Sequence, residues 1–153
     1  IFELTEAVGN KNFEKALLVA SRLQENGIHA LAVLATLRNF TRNLLLFRSL
    51  LEQEQYQYRP GLSPKFFQEQ CLPLLKANPR WQSELSGHPY ALYMKFKTAA
   101  AFSLPQLKAW PGLILAADRR LKGSPVAAET VLQHLLLSLF LEMKDNRNLQ
   151  NQN

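Results

Sequence analysis

Most of the signatures by which a chain declares its chemistry are missing here. A single cysteine, Cys71, rules out an internal disulfide and fits a reducing cytoplasm. The six glycines, at 9, 27, 61, 87, 112 and 123, are all isolated, so no phosphate-cradling G-x-x-x-x-G-K-[ST] or G-x-G-x-x-G loop can be written. His29, His88 and His134 stand far apart, without a second His at i+4 or a nearby Cys, and no metal box is expected. No apolar run approaches the ~18 residues of a membrane span, and "LLLSLFLEM" at 135–143, the richest, is too short. No signal peptide opens the chain, which starts without Met on the helix-like "IFELTEAVG". The expectation is a fragment whose N-terminal domains have been cut away. Acid is scarce between 85 and 128, where Asp118 alone faces Lys95, Lys97, Lys108, Arg119, Arg120 and Lys122.

What is present is helical patterning. With 47% hydrophobic and 20% charged residues, the 153-residue chain has the composition of one globular domain with a proper core. Phe13, Ala16, Leu17, Ala20 and Leu23 form an apolar stripe at helical spacing, with Asn12 to cap that helix and Gly27 to end it. A second helix is expected over 29–51. It becomes apolar nearly all round in "LLLFRSLL", which requires burial on two sides. Residues 52–87 break the rhythm with Pro60, Pro64, Pro73 and Pro79, and read as an irregular excursion holding one or two short helices. Phe66, Phe67, Leu72, Leu74, Leu75 and Trp81 in it need somewhere to bury. Further helices are expected over 89–102, 104–122 and 125–143, with Pro111 kinking or splitting the second of these. The polar "KDNRNLQNQN" at 144–153 should fray. No stretch alternates with period two, so the fold class is all-α, a helical bundle.

Two local groups stand out. In "AADRRLKGSPVAAE" (116–129), Asp118 and Lys122 are spaced for an i,i+4 pair, and the cations of the last turn complement the helix dipole. Gly123 is expected in the left-handed conformation that stops the helix, with Ser124 and Pro125 opening the next. Glu129 is the one acid placed against apolar neighbours (Val126, Leu132, Leu136), and reads as a cap or ion-pair partner rather than a catalyst. Cys71, beside Leu72 and Pro73, reads as a buried, inert thiol. Nothing in the chain argues for an enzyme. The second group is the basic–aromatic "PYALYMKFK", where Tyr90 could stack on a base while Lys95 and Lys97 meet phosphates, with Arg119 and Arg120 in support. Equally, Tyr90, Met94 and Ala101 fit an ordinary core stripe.

The same stretches carry a resemblance. "LILAADRRLKGSPVAAETVLQHLLLSL" is similar to the end of the DNA polymerase III delta subunit of bacterial clamp loaders, with Asp118, Leu121, Lys122, Gly123, Ala128 and Glu129 at matching places. "IFELTEAVGNKNFEKALLVASRLQENG", "LAVLATLRNFTRNLLLFRSL" and "HPYALYMKFKTAAAFSLPQL" resemble the preceding helices of that family in the same order. The likeness covers most of the chain except about 52–87, and Pro111 stands where the family helix is usually continuous. It implies the C-terminal collar domain of delta, over 1–143, which joins other clamp-loader subunits (delta prime and gamma/tau type) into a ring. It further implies weak contact with primer-template DNA, no cofactor, and a sliding clamp reached only through AAA+-like N-terminal domains outside this fragment. The intact subunit would belong to the DNA polymerase III holoenzyme, a DNA-directed DNA polymerase of the bacterial cytoplasm. Two other readings stay open: a helical nucleic-acid-binding module, which would bind with a steep salt slope, and a helical protein–protein scaffold unrelated to replication.

Overall fold

In the computed structural model the backbone is described for residues 1–150 and side chains for 1–143. The described residues form helices and turns without a strand, so the fold is all-α. They divide into two compact units, one made of 1–42 with 105 onward and the other of 43–104.

The first unit begins with α1 (Phe2–Gly9) and α2 (Phe13–Glu25), which pack together. The Asn12 side chain accepts a hydrogen bond from the Lys15 amide at 3.1 Å and caps α2. At the other end Gly27 takes φ +83°, while its amide bonds Gln24 O and the Ile28 amide bonds Leu23 O. This is a Schellman stop, as the glycine's position predicts. The third helix, α3 (Ala30–Leu51), spans 22 residues. Its buried positions Val33, Leu34, Leu37 and Thr41 lie in the first unit, whereas Leu44, Phe47 and Leu50 lie in the second. One helix thus contributes to two cores, but its run at 44–51, apolar nearly all round, lies wholly in the second unit, where Leu44, Phe47 and Leu50 are buried and Leu45, Leu46 and Leu51 are half-buried.

The long helix Leu104–Gly123 and the last helix, Ala128–Gln150, complete the first unit. Leu107, Trp110, Ile114 and Ala117 are buried from the former, and Val131, Leu132, Leu135, Leu136 and Leu139 from the latter. Phe140 meets Phe13 of α2 with ring centroids 5.1 Å apart. Truncating any of the fully buried leucines to Ala would cost about 2–5 kcal/mol.

Four expectations for these helices are corrected. Pro111 lies inside Leu104–Gly123 without splitting it. Its ring is exposed, while Trp110 and Ile114 of the same helix are buried. Gly123 is the last residue of the helix and does not adopt a positive φ. Chain reversal instead uses residues 124–127, where the Ser124 amide bonds Arg120 O at 3.1 Å and Ser124 Oγ accepts from the Val126 amide at 3.3 Å. Ser124 and Pro125 consequently do not open the next helix, which starts at Ala128. That helix also runs past the expected end at Met143, to Gln150. The fraying expected over 144–153 falls on 151–153 and on the side chains of 144–150, which lie outside the described residues.

The second unit holds the later part of α3, the proline-rich excursion and the helix Pro89–Ala100. Within the excursion are α4 (Pro64–Phe66) and α5 (Leu72–Lys76), joined by a π turn over Phe67–Cys71. Ser63 Oγ caps α4 by accepting from the Phe66 amide at 3.1 Å. Pro73 has no N–H for a regular i→i−4 bond, and the Leu72 amide before it reaches back five residues to Phe67 O. The excursion owes its order to an aromatic cluster rather than to regular helix. Phe96 packs within 4.8 Å of the Phe47 ring centroid and 5.3 Å of Phe67, and Tyr58 lies 6.3 Å away. Phe67, Leu72 and Leu75 are buried as expected, but Phe66 and Leu74 are exposed and Trp81 is half-buried beneath Arg80. The remaining helices are numbered in order: α6 (Pro89–Ala100), α7 (Leu104–Gly123) and α8 (Ala128–Gln150).

Candidate functional site

The basic–aromatic segment forms α6, and its start is set by an unusual cap. His88 Nδ1 accepts a hydrogen bond from the Tyr90 amide at 3.1 Å, and Pro89 occupies the first helical position. The ring nitrogen that accepts must be unprotonated, so this cap needs a neutral His88. The buried face of α6 is Leu92, Phe96 and Ala99. The alternative core stripe is corrected: Tyr90 is 55% exposed, Met94 is 40% exposed, and Ala101 is exposed as well.

A helix turns about 100° per residue, so Tyr90, Met94 and Lys97 fall on one face, opposite the core. Lys95 lies about 140° from Tyr90, on a flank. Both lysines are exposed. The Tyr90 ring is steadied by Tyr93, 6.1 Å away, whose hydroxyl donates to Leu62 O at 3.0 Å. A flat ring at the surface can take a base on its face, and Lys97, two turns along the same helix face, can meet a phosphate.

The two arginines read as supports belong to α7 in the other unit. They stand about 100° apart on that helix and present no single cluster. Arg119 is exposed. Arg120, also exposed, places Nη1 2.9 Å from His134 Nδ1. A guanidinium only donates, so His134 accepts at Nδ1. Sequence spacing carries no signal for this pair, fourteen residues apart on different helices.

At the structural turn, the pair that the i,i+4 spacing predicts is formed. Lys122 Nζ lies 3.0 Å from Asp118 Oδ2, the i,i+4 pair. Arg38 of α3 reaches Asp118 Oδ1 at 3.9 Å, a second cation that no local pattern reveals. The Asp118 carboxylate is only 15% exposed while Lys122 is largely solvated, so the i,i+4 pair stabilises by about 0.3–0.5 kcal/mol. Glu129 sits in the first turn of α8, exposed, where an acid complements the helix dipole, and accepts from Gln133 Nε2 at 3.4 Å.

Outside these groups lies an apolar surface on α8. Leu137 is 42% and Leu141 48% exposed. They project from the side of the helix opposite its buried leucines, as i,i+4 neighbours. Burial pushes the Cys71 thiol above its ordinary pKa, and its Sγ lies 3.6 Å from Gln57 O; this is a protonated core group, not an activated nucleophile. Among the described residues no three of His, Cys, Asp and Glu are placed to hold a metal ion, and no helix is long and apolar enough to cross a membrane. No protein-family model, curated protein or solved structure matches this chain.

Proposed function

We propose that this chain is an assembly element, the collar-type domain of a clamp-loader delta subunit in the bacterial cytoplasm, and that it works by contact rather than catalysis. The observation that supports this reading is the α8 surface. Leu137 and Leu141 keep nearly half their area in water on a helix that has already supplied five leucine and valine side chains to its own core. Covering such a pair removes apolar area worth about 25 cal/mol per Å². That gain is available to a neighbouring subunit. The partners this reading names are delta-prime-type and gamma/tau-type subunits, with the sliding clamp reached through other domains.

DNA is the second partner, held weakly. The exposed face of α6 favours it: Tyr90 supplies a stacking ring and Lys97 a cation on the same side, with Lys95 on the flank. So few charges support only weak, salt-sensitive binding without sequence preference.

The experiment mixes an intact delta-type subunit, with and without residues 1–153, with the ATPase and delta-prime-type subunits and follows complex formation by size-exclusion chromatography. The assembly reading expects a complex only when these residues are present. A complex of equal size and yield without them would dismiss it.

A further inference from the structure

The packed faces of α7 and α8 do not meet everywhere. Each contributes residues at i, i+3, i+4 and i+7: Leu113 to Arg120 from one helix and Val131 to Ser138 from the other. Ala116, Ala117 and Ser138 are too small to close the space between them, leaving an open groove of about 90 Å³. A water molecule takes roughly 30 Å³ of the liquid, so the groove has room for one branched aliphatic side chain. Its floor is apolar, with Val131, Leu135 and Ala117 buried. At its rim stands Arg120, with the guanidinium held 2.9 Å from the His134 imidazole. Among the described residues, no carboxylate forms an ion pair with Arg120, whereas Lys122 on the same turn is matched by Asp118. The cation at this groove is therefore oriented by a neutral acceptor and left without a counter-charge.

We infer that the α7–α8 groove is a docking site for a partner-protein segment that pairs a branched aliphatic side chain with an adjacent carboxylate. The side chain fills the space above Ala117, and the carboxylate takes the free donors of Arg120, whose planar fork suits two parallel hydrogen bonds. Charge complementarity selects an acidic segment, since the chain carries a net +6 and Arg120 lines the groove with no carboxylate paired to it among the described residues. The apolar floor selects a side chain over a nucleic-acid phosphate. Holding Arg120 against His134 before the partner arrives reduces the ordering cost of binding. The inference deepens the assembly reading by naming what a partner must present, and rests on that reading only for which subunit presents it.

The probe is 4-methylpentanoate, which joins a branched aliphatic group to a carboxylate, titrated into the chain and followed by amide NMR shifts. Acetate and 4-methylpentanamide serve as the charge-only and apolar-only controls. The expected result is saturable shifts at Ala116, Ala117, Leu135 and Ser138, with a dissociation constant at least about tenfold lower than for either control, a gap of 1.4 kcal/mol. Arg120→Gln should erase the advantage over the amide, and Ala116→Leu, which fills the groove from its exposed edge, should abolish the shifts. Melting curves establish that both variants remain folded. Equal binding of the amide, shifts mapping elsewhere, or unchanged binding by Arg120→Gln would overturn the site. So would competition of a short oligothymidylate for the same amides. In a subunit mixture, Leu137→Asp blocking assembly while Arg120→Gln leaves it intact would refute the groove and spare the assembly reading.

Discussion

At the scale of single residues, the two glycines at helix ends make opposite predictions. Gly27 sits at φ +83°, which L-residues adopt only at a cost, so Gly27→Ala should destabilise the chain by about 1 kcal/mol. Gly123 is helical and a Cβ there would meet open space, so Gly123→Ala should stabilise by about 0.5–1 kcal/mol. Urea unfolding of both variants checks the pair; the same sign for both would mean that one of these helix ends is built differently. Gly123 looked like a terminator because Asp118, Arg119, Arg120, Lys122 and Gly123, within six residues, have the composition of a helix end. The composition located the end correctly, but Ser124 and its neighbours make the turn. Asp118–Lys122 was legible because it is local, whereas Arg38–Asp118 and Arg120–His134 arise from tertiary placement and leave no periodic trace. Cys71 yields a pH prediction. Its thiol stays protonated in the folded chain at a pH where the unfolded thiol ionises, so the stability it confers holds below about pH 8.5 and declines as the pH rises beyond it. Burial, with Tyr93 and Cys71 nearby, raises the Tyr58 phenol too, adding a loss of the same sign nearer pH 10. Urea midpoints between pH 7 and 10 should fall less steeply for Cys71→Ala than for the unmodified chain, and equal slopes would remove the thiol from the account.

At the scale of elements, periodicity did well where a helix has one buried face and poorly where it does not. The α2 stripe and its Asn12 cap follow from spacing alone. The α6 stripe was ambiguous, because Tyr90–Met94–Ala101 and Leu92–Phe96–Ala99 are both apolar at helical spacing. Only the aromatic cluster around Phe96 decides between them, and that cluster draws on residues 47, 58 and 67 far away in sequence. The same cluster orders the excursion, whose prolines conceal the π turn over Phe67–Cys71. Pro111 supplies the test for α7. It lies exposed within a continuous helix, and proline in a helix interior costs about 3 kcal/mol relative to alanine. Allowing for the freedom that alanine adds to the unfolded chain, Pro111→Ala should raise stability by about 2 kcal/mol. A loss of stability by thermal melting would show that the packing of Trp110 and Ile114 depends on the proline.

At the scale of the whole molecule, the all-α class was legible from the absence of period-two alternation and from capped helical segments, while the surfaces that carry function were only partly so. The apolar run of α8 announced more leucine than one core requires, but not which leucines stay in water. That depends on which side of α8 meets α2 and the rest of its unit, with Phe140 turned toward Phe13. The charge excess between 85 and 128 was equally plain, yet the structure divides its members between α6 and α7, and only Tyr90 and Lys97 among the candidates share a face. Tyr90→Ala and the double change Lys95→Glu with Lys97→Glu should each weaken primer-template binding by a full complex at low salt, with the difference shrinking at higher salt. Equal affinity in all three at low salt would leave assembly as the one remaining function.

Assembly itself is tested most directly by placing a charge on the α8 surface. The measurement is size-exclusion chromatography with light scattering on subunit mixtures containing either the unmodified chain within its intact subunit or its Leu137→Asp/Leu141→Asp variant. Both leucines lie outside the core, so the variant should melt within a few degrees of the unmodified protein and still fail to enter the complex at equal concentration. A variant that folds normally and assembles as well as the unmodified protein would contradict the account.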